Sequence, residues 1–317
     1  MNNKNRKYVK SPIGFPLYQG KFLMKLISKI RFVFVFILAS VFVGELVAQT
    51  PSLEALGRQG PYQVAWYTQL PSVPEFSGAT LYFPANKAQD FGGVVISPGF
   101  FERQENISWW GNYLASHGFA VITLDTNELN DLPPLRAEAL KAAIGLLRGE
   151  NSRQGSAVRG KILEDSMAVM GHSMGGTAAL LLANEKSDEI KAAIPFNAGG
   201  VPNANFSSVA VPTLVIAGEI DRLAPVNDHA WSHYQTLTNE VPRMYMEVKG
   251  GNHFIANTAE VENERLRPNV DVHDLVGGMA VAWLKLFLDG EEEYRELLFG
   301  EMPSEITEQL SRFEYSK

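Results

Sequence analysis

The chain has 317 residues, with 28 lysines and arginines against 35 acids and no cysteine; a disulfide framework, a thiolate metal site and a thiol nucleophile are excluded, and stability must come from packing alone. The formal charge of −7 conceals an asymmetry, because positions 1–48 hold eight basic residues and one acid, which leaves 20 basic against 34 acidic residues, or −14, beyond them. Such an acidic body repels phosphate backbones and anionic membrane surfaces, and with no basic run interleaved with aromatics it excludes nucleic acid as a partner.

The first predicted element is a leader. From Met24 the residues Lys25, Lys29 and Arg31 precede an apolar run from Phe32 to Gly44, and Leu46-Val47-Ala48 follows. These are the three regions of a secretory signal peptide, with cleavage expected after Ala48. The run is about 13 residues, short of the roughly 20 a membrane span needs, so an uncleaved anchor is the weaker alternative. Residues 1–23 read as a polar extension upstream of the true start. A lipid anchor has no cysteine to carry it. The expectation is a secreted monomer with no stable membrane association after cleavage, built as one catalytic domain over 49–300 and a tail over 301–317.

Strands are predicted at 62–68, at 79–83 and over Gly93-Val94-Val95-Ile96-Ser97, which stops at Pro98-Gly99. The period then changes to helical over 107–116, and His117-Gly118 ends that helix before a strand at 119–125. Further on come a helix at 134–148, a strand at 166–170, a helix at 174–185, strands at 190–196 and 212–218, a helix at 226–237, a strand at 243–249 and a last helix at 275–288. This alternation is that of an α/β domain with a mainly parallel sheet covered by helices on both faces. The segment 256–274 is too polar to be an element.

Between the strand at 166–170 and the helix at 174–185 stands GHSMGG, so Gly171, Ser173 and Gly175 form G-x-S-x-G in the strand–turn–helix setting that the motif requires. A nucleophile at the tip of a sharp turn adopts strained dihedrals, and the flanking glycines let strand and helix approach without a Cβ in the way. The turn also aims the Met174 amide, at a helix N-terminus, toward a developing oxyanion. A serine hydroxyl needs a base, and this fold takes its triad in the order Ser, acid, His, each on a loop after a strand. Asp221 follows the strand ending at 218, and His253 follows the strand ending at 249. Asp221 would orient the imidazole and stabilise its cation.

The rival residues have plainer readings. Glu219 competes for the acid position. His172 points away from its neighbour on a tight turn and is expected to pack, and His117 reads as a helix-end residue. His229 and His233, four apart on the predicted helix, have no third ligand spaced to join them, so a solvated face is expected and no metal site. His273 lies in the polar segment without an evident role.

Read together, VISPGF at 95–100, ASHGFAVITLDTN at 115–127, AVMGHSMGG at 168–176, KAAIP at 191–195, APV at 224–226, NHF at 252–254 and VAWLKLF at 281–287 resemble the bacterial cutinase and poly(ethylene terephthalate) hydrolase family of α/β-hydrolases, related to dienelactone hydrolases. The resemblance implies a cofactor-free, lidless esterase with a shallow groove for polymer chains and a second oxyanion donor at the Phe100 amide. It also marks departures. Phe100 stands where most members carry tyrosine, and Gly199 where the groove wall usually carries tryptophan. Trp109 matches a core tryptophan. The segment 256–274 is longer than the family's and could rebuild the wall. Glu219 matches a calcium-binding position of some members, but Lys249 stands at another, so an ion pair is expected there. The implied activity is hydrolysis of polyester or cutin-like esters through an acyl-enzyme, with Phe100, Met174 and Gly199 at the substrate. The alternatives are an esterase or lipase of small soluble esters or lactones and, from another class, a non-catalytic polymer- or lipid-binding protein.

Overall fold

The computed structural model describes residues 51–186, 188–258 and 271–317. The expected leader at 24–48, the extension before it and positions 259–270 of the polar segment lie outside them. The apolar runs form strands β1 (Val64–Tyr67), β2 (Gly78–Pro84), β3 (Phe91–Ser97), β4 (Ala120–Asp125), β5 (Ile162–His172), β6 (Ala192–Phe196), β7 (Thr213–Gly218) and β8 (Arg243–Val248), joined by a ninth, β9 (Leu310–Ser316). They make one sheet in the order β1-β2-β4-β3-β5-β6-β7-β8-β9. Neighbours from β4 to β8 run parallel, whereas β1, β2 and β9 add antiparallel edges.

Burial explains the composition of the central strands. A parallel sheet covered on both faces has no wet side, so its strands read as continuous apolar runs; β3, β6 and β7 are buried along their whole length. Successive side chains still alternate. Val94 and Ile96 enter one core with helices α1 (Leu53–Gly57), α2 (Ser108–Ser116) and α6 (His273–Leu284), and Val95 enters the other with α3 (Pro133–Ser152), α4 (Met174–Glu185) and α5 (Ala230–Thr236). The parallel direction brings the ends of β3, β5, β7 and β8 to one rim of the sheet, where ligands of open α/β folds bind.

Three expectations need correction. The segment 301–317 is no tail: after α7 (Tyr294–Phe299) and a turn of helix, α8 (Ser304–Thr307), β9 pairs with β8 from Val248↔Leu310 to Arg243↔Ser316. As an edge strand it is wet on one side, so it lacks the apolar run that marked its neighbours. The helix expected at 226–237 begins only at Ala230, because Asp228 and His229 close turns onto Pro225. The last helix is regular to Leu284 and continues as one π turn, Lys285–Asp289, which Gly290 ends in the left-handed region.

Candidate active site

β5 ends at His172 and α4 begins at Met174, so Ser173 alone makes the turn, at φ 54° and ψ −117°. A side chain in that sparsely populated region costs on the order of 1–3 kcal/mol and persists only where the surroundings impose it. They do so here: the Ser173 N–H donates to Phe196 O, and its carbonyl accepts from Thr177 N and Gly199 N, at 3.0–3.1 Å. The flanking glycines are sterically required. A Cβ on Gly171 would lie 2.2 Å from Gly175 O, and one on Gly175 would lie 2.3 Å from Ser97 O.

Three side chains from three loops meet at this turn. Ser173 Oγ donates to His253 Nε2 (2.9 Å), and His253 Nδ1 donates to Asp221 Oδ2 (2.6 Å). The other Asp221 oxygen accepts from Leu223 N and Ala224 N at 2.9 and 2.8 Å. Asn197, itself at φ 47°, donates to Asp221 Oδ2 (3.1 Å). Burial would raise the Asp221 carboxyl, but the hydrogen bond from His253 and those from Ala224 and Asn197 hold it below the usual carboxylate range. Burial lowers the His253 imidazole, and Asp221 offsets that only in part. The ring is therefore neutral at neutral pH, the form that can accept a proton.

The backbone around Phe100 shows where an anion could be held. Gly99 N donates to Glu102 Oε2 (2.6 Å), Phe101 N to Leu129 O (2.8 Å) and Glu102 N to Gly99 O (3.2 Å). Among the described residues no acceptor faces the Phe100 N–H. The Met174 N–H also precedes the first intrahelical bond of α4, which runs from Thr177 N to Ser173 O. Two unpaired donors thus flank the nucleophile. The fully buried Arg136 clamps the loop from behind, donating to Pro98 O, Leu129 O and Asp131 O.

A cleft of about 280 Å³ opens over Ser173, lined by Phe100, Met174, Gly200, Leu223, Ala224 and Phe254 among others. Gly199, expected on the groove wall, is instead buried behind the nucleophile: a Cβ there would meet Ala224 Cβ at 2.9 Å. The exposed glycine on the wall is Gly200.

Other sequence candidates fall outside the hydrogen-bonded chain. The Glu219 carboxylate accepts from Gly250 N (2.7 Å); the ion pair expected with Lys249 is not formed, because the backbone amide of the adjacent turn satisfies the carboxylate. His117 caps α2 and bonds Arg58 O, and Trp109 packs against the core beside α6. His229 is exposed, but His233, expected on a solvated face, is buried against Phe206 with its ring bonded to Val201 O, and burial pulls it down to about 4. His273 is not idle: it begins α6, stacks on Trp109 at 4.3 Å and donates to Asn257 O. No cluster of three metal-ligating side chains occurs among the described residues. Sequence reasoning missed Glu102, Asn197 and Asn257. For Asn197 one signal existed, since asparagine tolerates the left-handed backbone that a sharp turn after a strand demands.

A family model described as PET hydrolase-like matches residues 48–315. The chain belongs to that family. This PET hydrolase-like protein is 41% identical over 235 residues to cutinase 2 of Thermobifida cellulosilytica, covering 72% of this chain and 82% of that one. It is also 41% identical to cutinase cut1 of Thermobifida fusca, over 72% of this chain and 68% of the relative. A bis(hydroxyethyl) terephthalate hydrolase of Streptomyces coelicolor is 37% identical over 78% of this chain and 73% of its own length. As a member of the family the PET hydrolase-like protein has the α/β-hydrolase fold and is a carboxylic-ester hydrolase.

Proposed function

We propose that the protein is a secreted, monomeric esterase that cuts polyester or cutin-like chains through an acyl-enzyme, and that Ser173, His253 and Asp221 carry the reaction. Ser173 Oγ attacks the ester carbonyl while His253 Nε2 takes its proton, and Asp221 holds the imidazolium that results. The carbonyl oxygen becomes an anion held by the Phe100 and Met174 N–H groups. Collapse of the tetrahedral intermediate breaks the ester C–O bond, and His253 returns its proton to the leaving alkoxide. Water, deprotonated by His253, then attacks the acyl-enzyme and releases the acid. Gly200 and the rings of Phe100 and Phe254 receive the acyl side of the chain. No step calls for a metal or cofactor.

The observation that carries this reading is the unbroken chain Ser173–His253–Asp221, at 2.9 and 2.6 Å, beneath an open cleft. Apolar side chains left in water beside it favour a polymer: Phe100, Phe101, Leu132 and Leu135 are all exposed, and buried Arg136 ties their two segments together. The printed names of the relatives, cutinases and a terephthalate-ester hydrolase, agree with it. Ser173→Ala should remove essentially all turnover of a p-nitrophenyl ester, a loss on the order of 10⁶-fold, while the circular dichroism stays native; turnover that survives refutes the assignment. Replacing Phe101, Leu132 and Leu135 together by serine should depress monomer release from a polyester film several-fold more than it depresses soluble-ester hydrolysis. Equal losses on both substrates would favour small esters as the natural ones.

A further inference from the structure

A second acid–histidine pair lies behind the first. His172 is fully buried, its Nδ1 2.7 Å from Glu102 Oε2 and its Nε2 2.8 Å from the carbonyl oxygen of His253. A carbonyl only accepts, so Nε2 carries a proton. Glu102 accepts on both oxygens from fixed donors, Gly99 N at Oε2 and Asn257 Nδ2 at Oε1, each at 2.6 Å. A carboxylate so surrounded is ionised, which places the proton of the pair on Nδ1 and makes the ring an imidazolium. The fit is close. A Cβ on Gly99 would stand 2.7 Å from Glu102 Oε2 and 3.0 Å from both His172 Nδ1 and Ser173 Cβ.

The four anchor points belong to the pieces that the reaction must hold still. Gly99 N precedes the oxyanion donor Phe100, His172 precedes the nucleophile, the His253 carbonyl sits on the base itself, and Asn257 closes the loop after it. We propose that Glu102 and His172 are positioning residues for ester hydrolysis, a buried ionic brace that sets the Phe100 N–H and the His253 ring against Ser173. The inference rests on the triad assignment above. It differs from packing in requiring both His172 nitrogens to be protonated at once.

The groups facing this brace from the surrounding elements are His253 and Asp221 at the triad, Arg136 behind Glu102, and the uncharged rings of Phe196 and Phe254. Burial alone would lower His172, yet the Glu102 charge and hydrogen bond raise it. The brace is complete below that raised value and opens as pH climbs through it, since a neutral ring can donate to Glu102 or to His253 O but not to both.

Glu102→Gln tests this. Glutamine keeps the size and removes the charge, so His172 loses its reason to stay protonated. The expected result, with p-nitrophenyl acetate, is a kcat lower by roughly ten- to a hundredfold, a KM little changed, and an alkaline limb of kcat displaced to lower pH; Glu102→Asp, which keeps the charge, should recover part of the loss. A wild-type kcat and pH profile in Glu102→Gln, alongside an inactive Ser173→Ala, overturns the brace and leaves the triad standing, whereas turnover in Ser173→Ala overturns both. Should Glu102→Gln not fold, the wild-type enzyme supplies the test: its rate of labelling by a fluorophosphonate probe should fall on the alkaline side while the circular dichroism is unchanged. A rate that keeps rising or stays level until the protein unfolds overturns the proposal.

Discussion

Two buried acid–histidine pairs lie side by side here, with ring centroids of the histidines 4.9 Å apart, and they are chemically opposite. In both, Nδ1 meets a carboxylate, Asp221 for His253 and Glu102 for His172. The difference is at Nε2. His253 faces a hydroxyl, which can donate, so the ring stays neutral and can take a proton; His172 faces a carbonyl, which cannot, so the ring is already protonated and can take none. Their shifts follow, His253 pressed down by burial and the neighbouring His172 charge, His172 raised by Glu102 against burial. One partner atom separates a base from a brace.

The comparison can be broken hardest at Asp221. Asp221→Asn leaves the shape but lets the amide present a donor to Nδ1, which favours the wrong tautomer and should cut kcat by about 10³–10⁴-fold, measured on a soluble ester. If Asp221→Asn were nearly as active as wild type, His253 would not be oriented as described. A smaller effect is read from pH. The working form of His253 is neutral and its folded pKa lies below 6.5, so kcat/KM should rise with pH through an acid limb centred below that value and be fully developed at neutrality. A limb centred above 6.5 would mean that the His172 charge is absent. Smallest is Glu219→Ala. Its carboxylate serves only the Gly250 amide, so turnover should change by less than about twofold and stability by roughly 1 kcal/mol; a large loss of kcat with an intact Asp221 would return Glu219 to the triad.

How far the site was legible follows from which interactions leave a local trace. G-x-S-x-G did, because the turn at Ser173 demands glycine two residues to either side, and the loops after β7 and β8 could be counted from strand patterns. Gly199 was misplaced by one residue: alignment of motifs reads chain position, but which of two adjacent glycines faces the cleft depends on the Ser173 carbonyl capturing the Gly199 amide and turning it inward. His172 was correctly set aside as base, yet nothing near it announced its partner.

By itself the sequence determined the βα alternation, the buried parallel sheet, the nucleophile turn and the order in which Ser173, Asp221 and His253 arrive at one rim, since each leaves a short-range signature in period, glycine placement or strand ends. Only the tertiary structure decided that β9 closes the sheet and that Glu102 reaches His172 across 70 residues and Asn257 across 155. An edge strand with one wet face has no continuous apolar run to betray it, and a buried hydrogen bond between distant loops imposes no periodicity on either. Such partners are set by where the packed sheet brings the loops together, and that is a property of the whole chain.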